Sequence, residues 1–229
     1  MANLTQLKVM EGLDGVLLVD KPEGIAFSTV VKTVKRKFGL VKVGHGGSLD
    51  AMASGLMVIL VNNANKFADR VMGADRSYTG VMRFGATTDT GDRYGRPEAL
   101  PETVMKPEEV RGDLFQTEPR FCSVRREGSA GYEIADTGDH GQFLAHVYKF
   151  DVAPLGGAAG SGDFSFALVA SKGVLVRALA KDLGATLMSM RRTKTGRFDV
   201  ADAIPFGRLL EMEMGDFATC VMPTTRAFA

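Results

Sequence analysis

The chain has 229 residues, 45% of them hydrophobic and 24% charged, with a formal net charge of +1. That balance is ordinary for a soluble globular protein with a sizeable core. It excludes a polynucleotide binder working through bulk charge, so any nucleic-acid contact needs a local basic face. Two cysteines outside any CxxC pair, Cys122 and Cys220, and three histidines are a poor ligand set. A structural zinc site and a disulfide framework are not expected, and a reducing cytoplasm fits. No signal peptide is expected, because the first apolar run, Val16 to Val19, is short and bracketed by Asp14 and Asp20. No run approaches the roughly 20 apolar residues that a membrane span needs.

In chain order, Gly15 to Asp20 reads as a buried strand, stopped by Lys21-Pro22-Glu23-Gly24. Ser28 reads as a helix N-cap. Val30, Val31, Val34 and Phe38 then recur at helical spacing up to Gly39. Lys32, Lys35, Arg36 and Lys37 form the other face, which is either a solvated surface or a basic contact. The segment Gly44-His45-Gly46-Gly47-Ser48-Leu49-Asp50 follows, a turn-rich loop ending on one carboxylate, just before the apolar run Leu56 to Val61. A helix is expected through Ala64 to Met72, a strand from Ser77 to Phe84, a long loop over 85–101 and a helix from Glu108 to Phe115.

From Gln116 to His140 the pattern weakens and reads as a projecting insertion. Strands are expected at Phe143 to Val152 and Phe164 to Ser171. The Gly156 to Gly162 segment between them is no P-loop, since no Lys-Ser/Thr helix follows it. Leu175, Leu179, Leu183 and Leu187 repeat every four residues, which predicts an amphipathic helix from Val174 to Met190. A basic strand or turn, Arg191 to Phe198, comes next, then short helix and tail. Strands and helices alternate irregularly, which favours an α+β fold, a mixed sheet with helices packed on it.

Asp50, His45, Tyr78, Arg177, Lys21 and the basic segment at Arg191 are the candidates for chemistry. Singly, each has a plain reading. Asp50 caps a turn, His45 bonds one, Tyr78 packs in a strand, Lys21-Pro22 makes a turn, and Arg177 is an exposed arginine off the apolar stripe.

Taken together in order, these segments resemble the TruB-type tRNA pseudouridine synthases. Asp20 to Ser28 is similar to that family's DKPxGxxS block and Gly44 to Asp50 to its GHxGxLD loop. Arg76-Ser77-Tyr78 is similar to its KxY block, and Gly85 to Asp92 to its GxxTDTxD block. Ser171 to Gly184 is similar to SKGTYIRxLxxDLG, and Met190 to Phe198 to LRRTxxGxF. The resemblance implies a pseudouridine-synthase fold whose mixed, mostly antiparallel sheet is flanked by helices. It implies isomerisation of the T-loop uridine, position 55, in the T-arm of tRNA, with no cofactor and no metal.

On that resemblance Asp50 is the essential carboxylate, acting at C1′ or C2′ of a flipped nucleotide. Arg177 holds it ionised. Tyr78 stacks on the uracil, His45 stacks in the vacated space or against a neighbouring flipped base, and Lys21 and Pro22 support the loop. Lys32, Lys35, Arg36, Arg125, Arg126, Arg191, Arg192, Lys194 and Arg197 are expected phosphate contacts.

Three positions depart from the pattern. Glu118 to Arg125 is a degraded PPxYSAxK block, Leu175 replaces a Tyr, and Ala51 replaces a Pro. The expected organisation is one catalytic domain over residues 1–229, a clamping insertion at about 116–140 and no PUA domain. A cytoplasmic monomer is expected, since no exposed apolar stripe is evident. The competing reading is a tRNA-binding or tRNA-folding protein with little turnover. A hydrolase using Asp50 and His45 lacks a nucleophile elbow, a metal triad or a paired carboxylate.

Overall fold

The computed structural model describes residues 12–117, 121–125, 132–136, 142–156 and 162–229, with only the backbone at 121–125 and 132–136. The chain forms two compact units: the N-terminal part through Ala74 with Arg192–Ala229, and Asp75–Arg191. Together they make an α+β protein.

The first unit is built on β1 (Gly15–Lys21), α1 (Phe27–Lys37), β2 (Val43–His45) and β3 (Ser54–Val61). β1 and β3 pair antiparallel from Gly15↔Val61 to Lys21↔Gly55. Both are nearly continuous apolar runs because both of their faces are buried. The register sets Val16 opposite Leu60 and Leu18 opposite Val58. These side chains, with Leu56, Ala64, Val71, Phe198 and Ala227, make one core cluster. Each aliphatic side chain so buried stabilises the fold by about 1.5–3 kcal/mol. β2 adds antiparallel to β3, while Ile204–Pro205 lies parallel to β1, so the sheet is mixed.

α1 begins at Phe27 behind Ala26, not at a Ser28 cap. The turn through Gly24, held by the Gly24 N–H to Ala51 O bond of 2.7 Å, delivers the chain so that Phe27 joins Val30 and Val34 on the buried face. Gly39, at φ +59°, ends the helix. Phe38 stacks on Phe217 with ring centroids 3.8 Å apart. The expected 64–72 helix is a 3-10 segment, Asn62–Phe67, followed by α2 (Ala68–Met72).

The second unit contains β4 (Arg76–Phe84), β5 (Gly112–Thr117), β6 (Gln142–Pro154), β7 (Asp163–Ala170), α3 (Val176–Asp182) and β8 (Ala185–Thr195), which crosses the boundary at 191/192. The order β4-β7-β6-β5 is antiparallel throughout. Phe121–Arg125 and Tyr132–Asp136 pair antiparallel within the expected insertion. Gln116 and Thr117, at the start of that segment, belong to β5, and residues 118–120, 126–131 and 137–140, Arg126 included, lie outside the described residues.

Two predicted helices are corrected. Over Glu108 to Phe115 there is a 3-10 turn, Pro107–Glu109, and then β5. Gly112 at φ +79° breaks the helical path, and the residues after it alternate between exposed and covered against β6. Phe115 and Leu144 are direct cross-strand neighbours there, 75% and 53% exposed, an apolar pair that the helical reading concealed.

The predicted Val174 to Met190 helix is only α3. Gly184 at φ +59° stops it, and the chain turns into β8. The amide and carbonyl of Leu187 are taken by Gly91 and Arg93. The four-residue leucine spacing therefore spans a helix and a strand, both buried. Among the described residues, no helix is long and apolar enough to cross a membrane.

Gly55 and Gly24 both sit at positive φ, but a Cβ on Gly55 would lie 2.3 Å from the Arg192 carbonyl oxygen whereas Gly24 faces open space. Gly24→Ala should cost about 1–2 kcal/mol and Gly55→Ala about 2–5 kcal/mol. Urea unfolding midpoints measure both, and equal shifts would contradict the packing described.

Candidate active site

The Asp50 loop leaves β2 and enters β3 under tight backbone control. Gly44 and Gly46 are glycines for lack of room. A Cβ on Gly44 would lie 2.0 Å from Asn65 Oδ1, and one on Gly46 would lie 2.1 Å from a Val71 methyl. Asn65 is itself fixed, its Nδ2 donating to Leu60 O and Asn62 O. His45 Nδ1 accepts from the Gly47 N–H at 3.2 Å, so a neutral ring carries its proton on Nε2. The His45 and Phe27 rings meet in a T-shaped contact, centroids 5.0 Å apart.

Two buried cations grip this loop. Lys21, wholly buried at the end of β1, donates from Nζ to Pro22 O at 2.9 Å, Ile25 O at 2.8 Å and, more weakly, Ala51 O at 3.4 Å. Arg192, 2% exposed, donates from Nε to Leu56 O at 2.8 Å, from Nη1 to Ser48 O at 2.8 Å and from Nη2 to Gly47 O at 3.4 Å. The Asp50 carbonyl accepts from the Ala53 N–H at 3.1 Å, and Asp50, half-buried, lies in sequence between the two gripped stretches. Burial pushes the Lys21 ammonium down to about 8; the Asp50 charge opposes this and the Arg192 charge adds to it.

In the second unit, Tyr78 is buried on β4 opposite Leu168. Arg177 is also buried, at 8% exposed, which corrects its reading as a surface residue. Its Nη1 donates to Thr90 O at 2.9 Å. The loop beneath braces itself: Thr88 Oγ1 donates to Asp92 O at 2.6 Å, and Asp92 Oδ1 accepts from the Thr90 hydroxyl and the Tyr94 N–H. A Cβ on Gly91 would lie 2.6 Å from Arg177 O, so the loop and the start of α3 are in close contact.

Gln116, 1% exposed, bonds both the N–H and the carbonyl of Leu175, the N-cap of α3. Sequence reasoning missed the roles of Gln116, Thr90, Asp92 and Asn65. The 87–92 region could have been singled out from its Thr/Asp/Gly density. A glutamine 59 residues from its partner gives no signal.

The expected phosphate contacts separate. Lys32, Lys35, Arg36, Lys194 and Arg197 are exposed, Lys194 pairing with Asp199 at 3.1 Å. Arg197 Nη1 lies 3.4 Å from Ala227 O and from Ala229 O. Arg191 is half-buried. Arg192 is corrected: its guanidinium is spent on backbone carbonyls inside the first unit and is closed to phosphate. For Arg125 only the strand backbone is described. Among the described residues, no group of three or more His, Cys, Asp or Glu is arranged to hold a metal.

Lys21 gives the site a pH signature. Its folded pKa, about 8, lies below its ordinary 10.5, so between these values the unfolded chain binds more protons. Stability contributed by this group therefore rises with pH across that window. Unfolding free energy of wild type and Lys21→Met, measured from pH 7.5 to 10.5, should differ by this rising component. Parallel curves would contradict the burial of the ammonium.

The TruB family pseudouridylate synthase N-terminal domain matches residues 35–176. The tRNA pseudouridine synthase B of Azoarcus sp. (strain BH72) is 37% identical over 209 residues, 84% of this chain and 68% of that protein. That of Opitutus terrae is 31% identical over 94% of this chain and 95% of its own length. Among solved structures, a Cbf5-Nop10-Gar1 complex contains a chain that superposes with TM-score 0.68 at 21% identity. The match covers 96% of this chain and 63% of that one, a likeness of fold. With its blocks, fold and relatives in agreement, the chain belongs to the TruB family of pseudouridylate synthases.

Proposed function

We propose that this protein converts the T-loop uridine of tRNA, position 55, to pseudouridine, with Asp50 as the essential carboxylate. The observation that carries this reading is a loop aspartate whose backbone is fixed on both sides, by Arg192 at Gly47 and Ser48 and by Lys21 and Gly24 at Ala51. Such fixity suits a group that must meet a sugar carbon in one geometry. Relatives named tRNA pseudouridine synthase B support the substrate.

The reaction breaks the bond from C1′ to N1, rotates the detached uracil and joins C5 to C1′. The C5 proton leaves and N1 gains one, so atoms and electrons balance without a redox step. Asp50 acts at the sugar, as nucleophile at C1′ or base at C2′. Arg177 supplies the cation of the site. Tyr78 stacks on the uracil and His45 fills the space that the flipped nucleotide vacates. The catalytic domain works as a cytoplasmic monomer, and the part of the 116–140 segment beyond β5 closes on the T-arm through Arg125 and Arg126. Exposed Lys32, Lys35, Arg36, Lys194 and Arg197, with Arg191, bind phosphates and position the RNA without reading its sequence.

A T-arm stem-loop transcript incubated with the protein and mapped nucleotide by nucleotide tests the substrate. Pseudouridine at the T-loop uridine alone is expected. Binding without conversion would favour an RNA-folding role, and conversion only elsewhere would refute the site. Replacing Lys32, Lys35 and Arg36 by Ala should lower the slope of log affinity against log salt by about 0.7–0.9 for each phosphate that is no longer neutralised. An unchanged slope would remove α1 from the RNA interface.

A further inference from the structure

Arg192 has the sequence context of an RNA contact and the environment of a structural ion. It sits in a basic run, Arg191-Arg192-Thr193-Lys194, yet it is 2% exposed while Lys194 is open to solvent. A guanidinium carries its donors in a rigid, planar fork. Here Nε takes Leu56 O, near the start of β3, while Nη1 and Nη2 take Ser48 O and Gly47 O, in the loop. One side chain thus ties the loop to the strand that follows it.

We infer that Arg192 is a positioning residue for Asp50, setting the carboxylate for the chemical step rather than binding RNA. The inference rests on the reading of Asp50 as the reacting group. Because peptide units are planar, a bond to a carbonyl orients the whole unit. Arg192 orients the 47–48 and 48–49 peptides. Ala53 N–H orients the 50–51 peptide, and Gly24 N–H with Lys21 Nζ orients the 51–52 peptide. The remaining unit, 49–50, is flanked by the buried Leu49 side chain.

Without Arg192 the upstream half of that brace is gone, while Lys21 and Gly24 still hold the downstream half. The carboxylate then samples a wider range of positions. The anchor point is itself closely packed, since the backbone of Arg192 lies against Gly55 so that a Cβ there would come within 2.3 Å of its carbonyl oxygen. A lysine offers one nitrogen and cannot span Leu56, Ser48 and Gly47.

The test compares wild type, Arg192→Lys and Arg192→Gln in single-turnover conversion of a T-arm transcript at saturating protein, with transcript affinity measured across salt. The glutamine variant buries no charge and keeps an amide donor, so it serves if the lysine variant does not fold. The single-turnover rate should fall roughly 100-fold, the scale of an ångström-sized misplacement, while affinity and its salt slope stay within about twofold of wild type. Weakened affinity with a shallower slope and a wild-type rate at saturation would overturn the inference and restore a phosphate contact. Unchanged rate and affinity would also overturn it.

Amide hydrogen exchange at Ser48 to Asp50, on the side released from Arg192, gives a readout that does not need turnover. It should quicken in both variants, while the amides of β1 keep wild-type protection. If wild type converts no uridine but this exchange pattern holds, the assignment of Asp50 fails and the brace stands. Unchanged exchange in a folded variant would refute the brace itself.

Discussion

Everything at the Asp50 loop depends on two buried cations bound to backbone carbonyls. Removing an ion from water costs several kcal/mol, and only well-placed partners offset it. Arg192 finds those partners at Gly47, Ser48 and Leu56, before and after Asp50, and Lys21 finds them at Pro22, Ile25 and, more weakly, Ala51. The dependence is mutual: if the loop shifts, a buried charge loses its acceptors, and if a cation is removed, oriented carbonyls are stranded. The two positive charges also disfavour each other, and the Asp50 charge offsets part of that at Lys21.

The strands make this possible by fixing where each cation begins. Lys21 ends β1 and Gly55 opens the facing stretch of β3, directly across the ladder. The apolar register of Val16 with Leu60 and Leu18 with Val58 locks that alignment, because a slip of one residue would turn the core outward. Gly55 then admits the backbone of Arg192 at a distance no side chain would allow. In the second unit the same economy of contact appears at Arg177, whose bond to Thr90 O is supported by a loop that satisfies its own hydrogen bonds through Asp92.

Much of this was legible in the chain. The continuous apolar runs at Gly15 and Leu56 gave two central strands, and the ordered blocks gave the family. Misreadings arose where local periodicity served two elements at once. Leu175, Leu179, Leu183 and Leu187 keep helical spacing, but Gly184 takes a left-handed conformation and the last leucine belongs to a strand. Gly112 did the same for the segment before β5. Arg192 was misassigned because charge in a basic run predicts solvent, whereas its carbonyl acceptors lie 136 to 145 residues away in sequence. The Gln116 brace on Leu175 is equally nonlocal. Lys21, by contrast, bonds carbonyls one and four residues on, and its supporting part was readable from the turn that follows it.

The central claim is that the loop is built to present one reacting carboxylate. The most direct measurement is release of tritium from C5-labelled uridine in a tRNA transcript under single-turnover conditions, comparing wild type with Asp50→Asn at equal RNA occupancy. The substitution keeps the size of the side chain and removes its charge, leaving Lys21 and Arg192 their carbonyl acceptors. The account predicts release by wild type and none detectable from the variant, with RNA affinity retained. Equal release from the two proteins would contradict it.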